Sequence, residues 1–135
     1  MVVVDGQGIP LGKQLASASP HETQLIESTL DQSYAPGKVR RLIYDKAADS
    51  NALRQRMAER GIDLIAPENR SRKTRVQDGR KLRRYRRRWK MERTFAWIGN
   101  SRRLVVRYES KLHVYSAFFH IACIMIVLRA LLTWF

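Results

Sequence analysis

Thirteen of the twenty-four residues at positions 70–93 are lysine or arginine, and no compact fold can bury such a run. The tract must lie on a surface, so it separates one apolar-patterned part of the chain from another. Asp78 and Glu92 are the only acids inside it, which leaves it holding +11 of the formal net charge of +14. The other 111 residues hold only +3. A concentrated positive surface attracts polyanions, because neutralising phosphates releases condensed counterions without reading any base. Glu92, a lone carboxylate near the end of that run, is placed to hold a divalent cation. The pairing points to an enzyme acting on nucleic acid rather than to a simple binder.

At 135 residues the chain is one domain, 1–135, with a modest core. A hydrophobic content of 44% is globular in spite of the basic tract. The single cysteine, Cys123, excludes an internal disulfide and fits a reducing cytosol. It lies in an apolar run and reads as packing. The opening Met1-Val-Val-Val-Asp5 lacks the basic start and long apolar stretch of a signal peptide, so the expected location is cytoplasmic.

Val2 to Val4 and positions 9–18 read as two extended stretches joined by the turn Asp5-Gly-Gln-Gly8, a hairpin. Ser19-Pro20-His21-Glu22 opens a helix whose apolar stripe is Leu25, Ile26 and Leu30, and Pro36-Gly37 ends it. Positions 39–44 form a β-like segment leading to Asp45. Asp49 or Ser50 caps a second helix through Leu53 and Met57, which Gly61 stops. Positions 62–66 read as a further strand. The stretch 68–81 has no apolar period and reads as an exposed basic loop. From Leu82 a helix carries Tyr85, Trp89, Phe95 and Trp97 among arginines until Gly99-Asn100-Ser101, and a terminal apolar helix covers about 113–132. The order β-β-α-β-α-β-loop-α-α predicts an α/β fold, a mixed sheet flanked by helices. Asp45, directly after an apolar strand, sits where α/β folds place their sites.

Tyr85-x-x-Arg88-x-x-x-Glu92 resembles the Tyr-Arg-Glu signature of bacterial insertion-sequence transposases with an RNase H-like DDE catalytic domain. Glu92-Arg-Thr-Phe-Ala-Trp97 and Arg102-Arg-Leu-Val-Val-Arg-Tyr-Glu109 resemble the same group. Ile43-Tyr-Asp45-Lys-Ala-Ala-Asp49-Ser50 is similar to its segment carrying the second catalytic aspartate, and Asp5-Gly-Gln-Gly-Ile-Pro-Leu11 to the hairpin after the first. The resemblance implies an RNase H-like mixed sheet without its first strand, the carboxyl-terminal part of a transposase. It implies metal-dependent cleavage and transfer of DNA strands, with Asp45 and Glu92 as catalytic and metal-holding residues of a two-metal Mg2+ site completed by an aspartate outside this chain. Tyr85 and Arg88, together with Arg83, Arg84, Arg86, Arg87, Trp89, Arg102 and Arg103, would contact DNA. The implied partners are element ends and target DNA, an amino-terminal transposase fragment, and further copies of the chain on DNA, without a membrane and close to the nucleoid. The family's lysine seven residues after Glu92 is Gly99 here, for which Arg102 or Arg103 could substitute.

Simpler readings stand beside these. The basic tract could serve a non-catalytic nucleic-acid-binding protein or an inactive transposase remnant. Asp5, in its Asp-Gly turn, reads as a turn residue. Asp49 competes with Asp45 but also reads as a helix cap. Trp89 and Trp97 at helical spacing read more readily as core than as base-stacking residues. His113 and His120 have no partners at metal spacing. The apolar run from Ala117 approaches membrane-spanning length, yet His120 and Arg129 interrupt it, so a buried covering helix is expected.

Overall fold

A computed structural model of the chain describes residues 1–16, 22–34, 38–69 and 79–133. Three consecutive valines, β-branched and suited to a pleated surface, form β1 (Val2–Val4). It pairs antiparallel with β2 (Pro10–Lys13) in the register Val2↔Lys13, Val3↔Gly12 and Val4↔Pro10. Asp5 makes the turn: its Oδ1 accepts the backbone N–H groups of Gln7 and Ile9, both at 2.8 Å. The expected second stretch over 9–18 is thus shorter as a strand. Helix α1 (Glu22–Asp31) follows. Its expected opening at Ser19-Pro20-His21 and its break at Pro36-Gly37 lie outside the described residues.

Strand β3 (Arg41–Ile43), a 3-10 turn at Lys46–Ala48, α2 (Asn51–Glu59) and β4 (Asp63–Ile65) form a β-α-β unit. β3 and β4 run parallel, with Leu42 beside Leu64, so α2 serves as the crossover. Ser50 is the cap of α2, its Oγ accepting from Leu53 N–H at 3.4 Å. Gly61, at φ +72°, turns the chain out of the helix and into β4.

The basic segment is helical but not one helix. After α3 (Gly79–Leu82) comes a 3-10 stretch, Arg83–Arg88, and then α4 (Trp89–Gly99). Tyr85 is the one residue of the 3-10 stretch with an apolar body, so packing does little to impose α geometry there. Part of the loop expected at 68–81 lies outside the described residues, and its last positions belong to α3. A short α5 (Arg102–Val105) and a long α6 (Leu112–Leu132) complete the chain.

The class is mixed α/β, but the described strands make two separate two-stranded sheets rather than the single sheet expected. Alternation along β1 directs successive side chains to opposite faces. Met1 and Val3 pack against Ile26, Leu30, Leu53 and Met57 of α1 and α2. Val2 and Val4 pack against Ile98, Phe119 and Ile126 of α4 and α6. Fully buried side chains such as Ile26, Leu30, Leu53 and Met57 each stabilise by about 1.5–3 kcal/mol.

The expectation of a buried terminal helix needs correction. In α6 only Phe119, Ala122 and Ile126 are buried, a stripe at i, i+3 and i+7. Ile121, Ile124, Met125, Leu128, Leu131 and Leu132 are exposed. By length and composition α6 is also long and apolar enough to cross a membrane. Trp89 departs from its core reading as well, at 51% exposed, whereas Trp97 packs beside Ile98.

Candidate active site at the basic helix

Asp45 follows β3 and Tyr44, where the chain leaves the sheet. Its Oδ1 caps the 3-10 turn, accepting from Ala47 N–H at 2.9 Å. Glu92 stands in the first turn of α4, near the positive end of the helix dipole, with its side chain 66% exposed. Arg88 lies beside Glu92. Its Nη1 donates to the Tyr85 hydroxyl at 2.8 Å, and its Nε lies 3.9 Å from Glu92 Oε1. The hydrogen bond to Tyr85 pushes the Arg88 guanidinium above its ordinary pKa, against desolvation and with help from Tyr85, Asp45 and Glu92. Within a 3-10 stretch, residues three apart eclipse, which is why Tyr85 lies directly beneath Arg88.

Asp45 and Arg88 border a cleft of about 830 Å³ between β1 and β3. Asp5, Asp45, Arg84, Arg87, Arg88 and Lys90 contribute to its lining. Arg83, Arg86 and Glu92 are exposed and outside that lining, and half-buried Tyr85 is outside it too. Arg103 is committed elsewhere: it donates to Glu109 at 3.2 Å and lies 5.1 Å from the Phe118 ring centroid. Arg102 is exposed on α5.

Asp49, the rival to Asp45, is engaged in a buried ion pair. Its side chain is 5% exposed, paired with Arg54 at 3.3 Å, and accepts the Asn69 backbone N–H at 2.8 Å. Asp5 is spent on its turn, as its sequence context implied. Asp45 and Glu92 supply oxygen donors of the kind a hard divalent cation takes. Among the described residues, no group of three or more His, Cys, Asp or Glu gathers around a common point. The donors suit Mg2+ in kind, while two carboxylates fall short of a two-metal set.

Sequence reasoning missed the device that seats the hairpin. Three residues on one face of α4 grip three successive carbonyls of the turn. Lys90 donates to Gly6 O, Arg93 to Gln7 O, and the Thr94 hydroxyl to Gly8 O at 2.6 Å. The Arg93 guanidinium lies between two indoles, 4.9 Å from the Trp89 ring and 4.5 Å from the Trp97 ring. The Trp89-x-x-x-Arg93-x-x-x-Trp97 spacing was the available signal, since residues four apart meet on a helix.

The chain is thus mixed α/β, with one candidate acid after β3 and the other in the basic helical segment. The chain belongs to the transposase DDE domain family, which it matches over residues 1–128. It is also 29% identical over 133 residues to a Burkholderia cepacia protein described as the candidate transposase for insertion sequence element IS402. That alignment covers 93% of this chain and 60% of the relative, so the chain spans well under two thirds of that protein. No solved structure matches the chain.

Proposed function

We propose that residues 1–135 form the carboxyl-terminal part of the catalytic domain of an insertion-sequence transposase, a partial RNase H-like unit. The reading rests on the placement of Arg88: it lines one cleft with Asp45, lies 3.9 Å from Glu92 and donates to the Tyr85 hydroxyl. The family match and the relative's transposase description support it.

In this reading Arg83, Arg84, Arg86 and Arg87 hold DNA through its phosphates, bringing element ends and target to the cleft rim. Arg88, directed by Tyr85, aligns the reacting phosphate. Trp89, half exposed, offers a ring on which an unstacked base can lie. Arg102 and Arg103 extend the basic surface along α5. Asp45 and Glu92 would hold Mg2+, which when bound activates water or a 3′ hydroxyl and stabilises the leaving oxygen. The remaining carboxylate comes from an amino-terminal transposase fragment outside this chain, and the working form is an oligomer on DNA, in the cytoplasm beside the nucleoid and not at a membrane.

The test uses transposase assembled from this chain and the remainder of the protein. Asp45→Asn and Glu92→Gln should each abolish Mg2+-dependent cleavage of element ends while DNA affinity stays close to the parent's. Both changes keep shape and remove the charge a divalent ion needs. Cleavage at the parent rate in both variants would leave a basic DNA-binding protein as the surviving reading.

A further inference from the structure

Between α4 and α6 the chain carries a second basic surface. Residues 101–112 hold Arg102, Arg103, Arg107 and Lys111 against one acid, Glu109. All four cations are exposed. Apolar side chains stand among them, where a surface is ordinarily polar: Tyr108 is 80% exposed, Val105 65% and Val106 50%.

The segment is held from beneath. Glu109, directly after Tyr108, is turned inward, its side chain 8% exposed. Its Oε1 accepts from Arg103 Nη1 at 3.2 Å, and its backbone carbonyl accepts from Arg107 Nε at 3.1 Å. Both guanidiniums also lie on rings of α6, Arg103 at 5.1 Å from the Phe118 centroid and Arg107 at 5.6 Å from that of Tyr115. Glu109 Oε2 is buried without a hydrogen-bond partner among the described residues. A buried carboxylate with one oxygen idle is costly, so stability alone does not account for an acid here. Its effect falls on the neighbouring residues. With residues 107 and 109 fastened toward α6, Tyr108 between them is left facing solvent.

We propose that Tyr108 is a stacking platform for an unpaired DNA base, with Arg102, Arg107 and Lys111 on the flanking phosphates. An exposed aromatic set among fixed cations is the combination that holds single strands: the ring takes a base face whatever the sequence, and the cations follow the backbone. Val105 and Val106 add apolar surface beside the ring, as wedge residues do where a duplex is unstacked. A protein partner fits the patch less well, because covering its apolar residues would desolvate the cations around them. The ligand is therefore DNA with unpaired bases, such as a bulge or a melted end, rather than intact duplex. The choice of DNA as the polyanion rests on the transposase reading; the stacking site itself rests on the exposure and bracing of Tyr108.

The test uses the full 135-residue chain without metal, and fluorescence anisotropy on three versions of a short duplex. The first is fully paired, the second carries a bulge of unpaired thymines, and the third carries the same bulge without its bases. The parent should bind the thymine bulge about tenfold more tightly than the baseless one. Tyr108→Ala should remove that difference and leave affinity for the paired duplex close to the parent's, while Tyr108→Phe keeps it. Because Tyr108 is 80% exposed, neither change disturbs the core, which circular dichroism would verify. Equal binding of the two bulges by the parent, or an unchanged preference in Tyr108→Ala, would overturn the site. Loss of the preference in Trp89→Ala alone would assign the stacking to α4 instead. A parent chain that binds none of the three duplexes would remove the DNA reading as well, so the two ideas fail distinguishably.

Discussion

Replacing Gly8 with alanine should damage this protein out of proportion to one methyl group. Gly8 sits at φ +86°, where a side chain costs roughly 1–2 kcal/mol. The new Cβ would also meet Arg93 Nη2 and Thr94 Oγ1 at 3.1 Å and Lys90 O at 3.2 Å. That is the surface of α4 which grips the turn, so the methyl group must push the hairpin off it. Overpacking of this kind costs about 1–3 kcal/mol. The combined loss, roughly 2–5 kcal/mol, is a large share of the 5–15 kcal/mol that holds a typical domain together. Urea unfolding followed by circular dichroism measures it. With a slope of about 1–3 kcal/mol per molar, the midpoint should fall by on the order of 1–2 M. Gly6→Ala is the control, since nothing lies within 4 Å of a Cβ built there. Equal midpoints for the two variants would refute the reasoning and show that the turn is not pressed against α4.

Replacing Arg83, Arg84, Arg86 and Arg87 with alanine should weaken binding to unrelated duplexes alike and flatten log K against log salt. The slope should drop by about 0.9 per lost phosphate contact, as fluorescence anisotropy across a salt series would show; an unchanged slope would remove these residues from the DNA surface. Asp49→Ala should lower stability by about 1–3 kcal/mol by leaving the largely buried Arg54 guanidinium without its acid, yet leave cleavage per folded molecule intact. Loss of cleavage in a variant of parent stability would return Asp49 to the site. Burial pushes the Cys123 thiol above its ordinary pKa, with Lys13 opposing. At pH 8 the thiolate is then scarcer than in a free cysteine, so iodoacetamide should react more slowly with Cys123 than with the unfolded chain; equal rates would contradict its burial.

Local chemistry made much of this fold legible. The Asp5 turn, the Gly61 stop and the alternation of β1 each follow from a neighbour or two, and each stands in the structure where the residues imply. Asp45 stands at the strand end where its sequence context put it, whereas the helix start near Glu92 was not legible, because a single helix was expected from Leu82 to Gly99. The split of the sheet was not legible, because pairing depends on which strands are available and not on the sequence of any one of them. The exposure of α6 follows from the same cause, since a helix of suitable apolarity is covered only as far as there is surface to meet it. The grip of Lys90, Arg93 and Thr94 on the turn joins residues more than eighty positions apart, beyond the reach of any local period.

The stacking of Arg93 between Trp89 and Trp97 gives the molecule an optical property. The same guanidinium that reaches the Gln7 carbonyl lies against both indoles, so neither ring can keep its surroundings when the turn lifts away. Near-ultraviolet ellipticity and tryptophan emission will therefore change with the seating of the hairpin, ahead of any loss of helix. The chain carries a built-in gauge, readable without a label, of whether the wall of its cleft is in place.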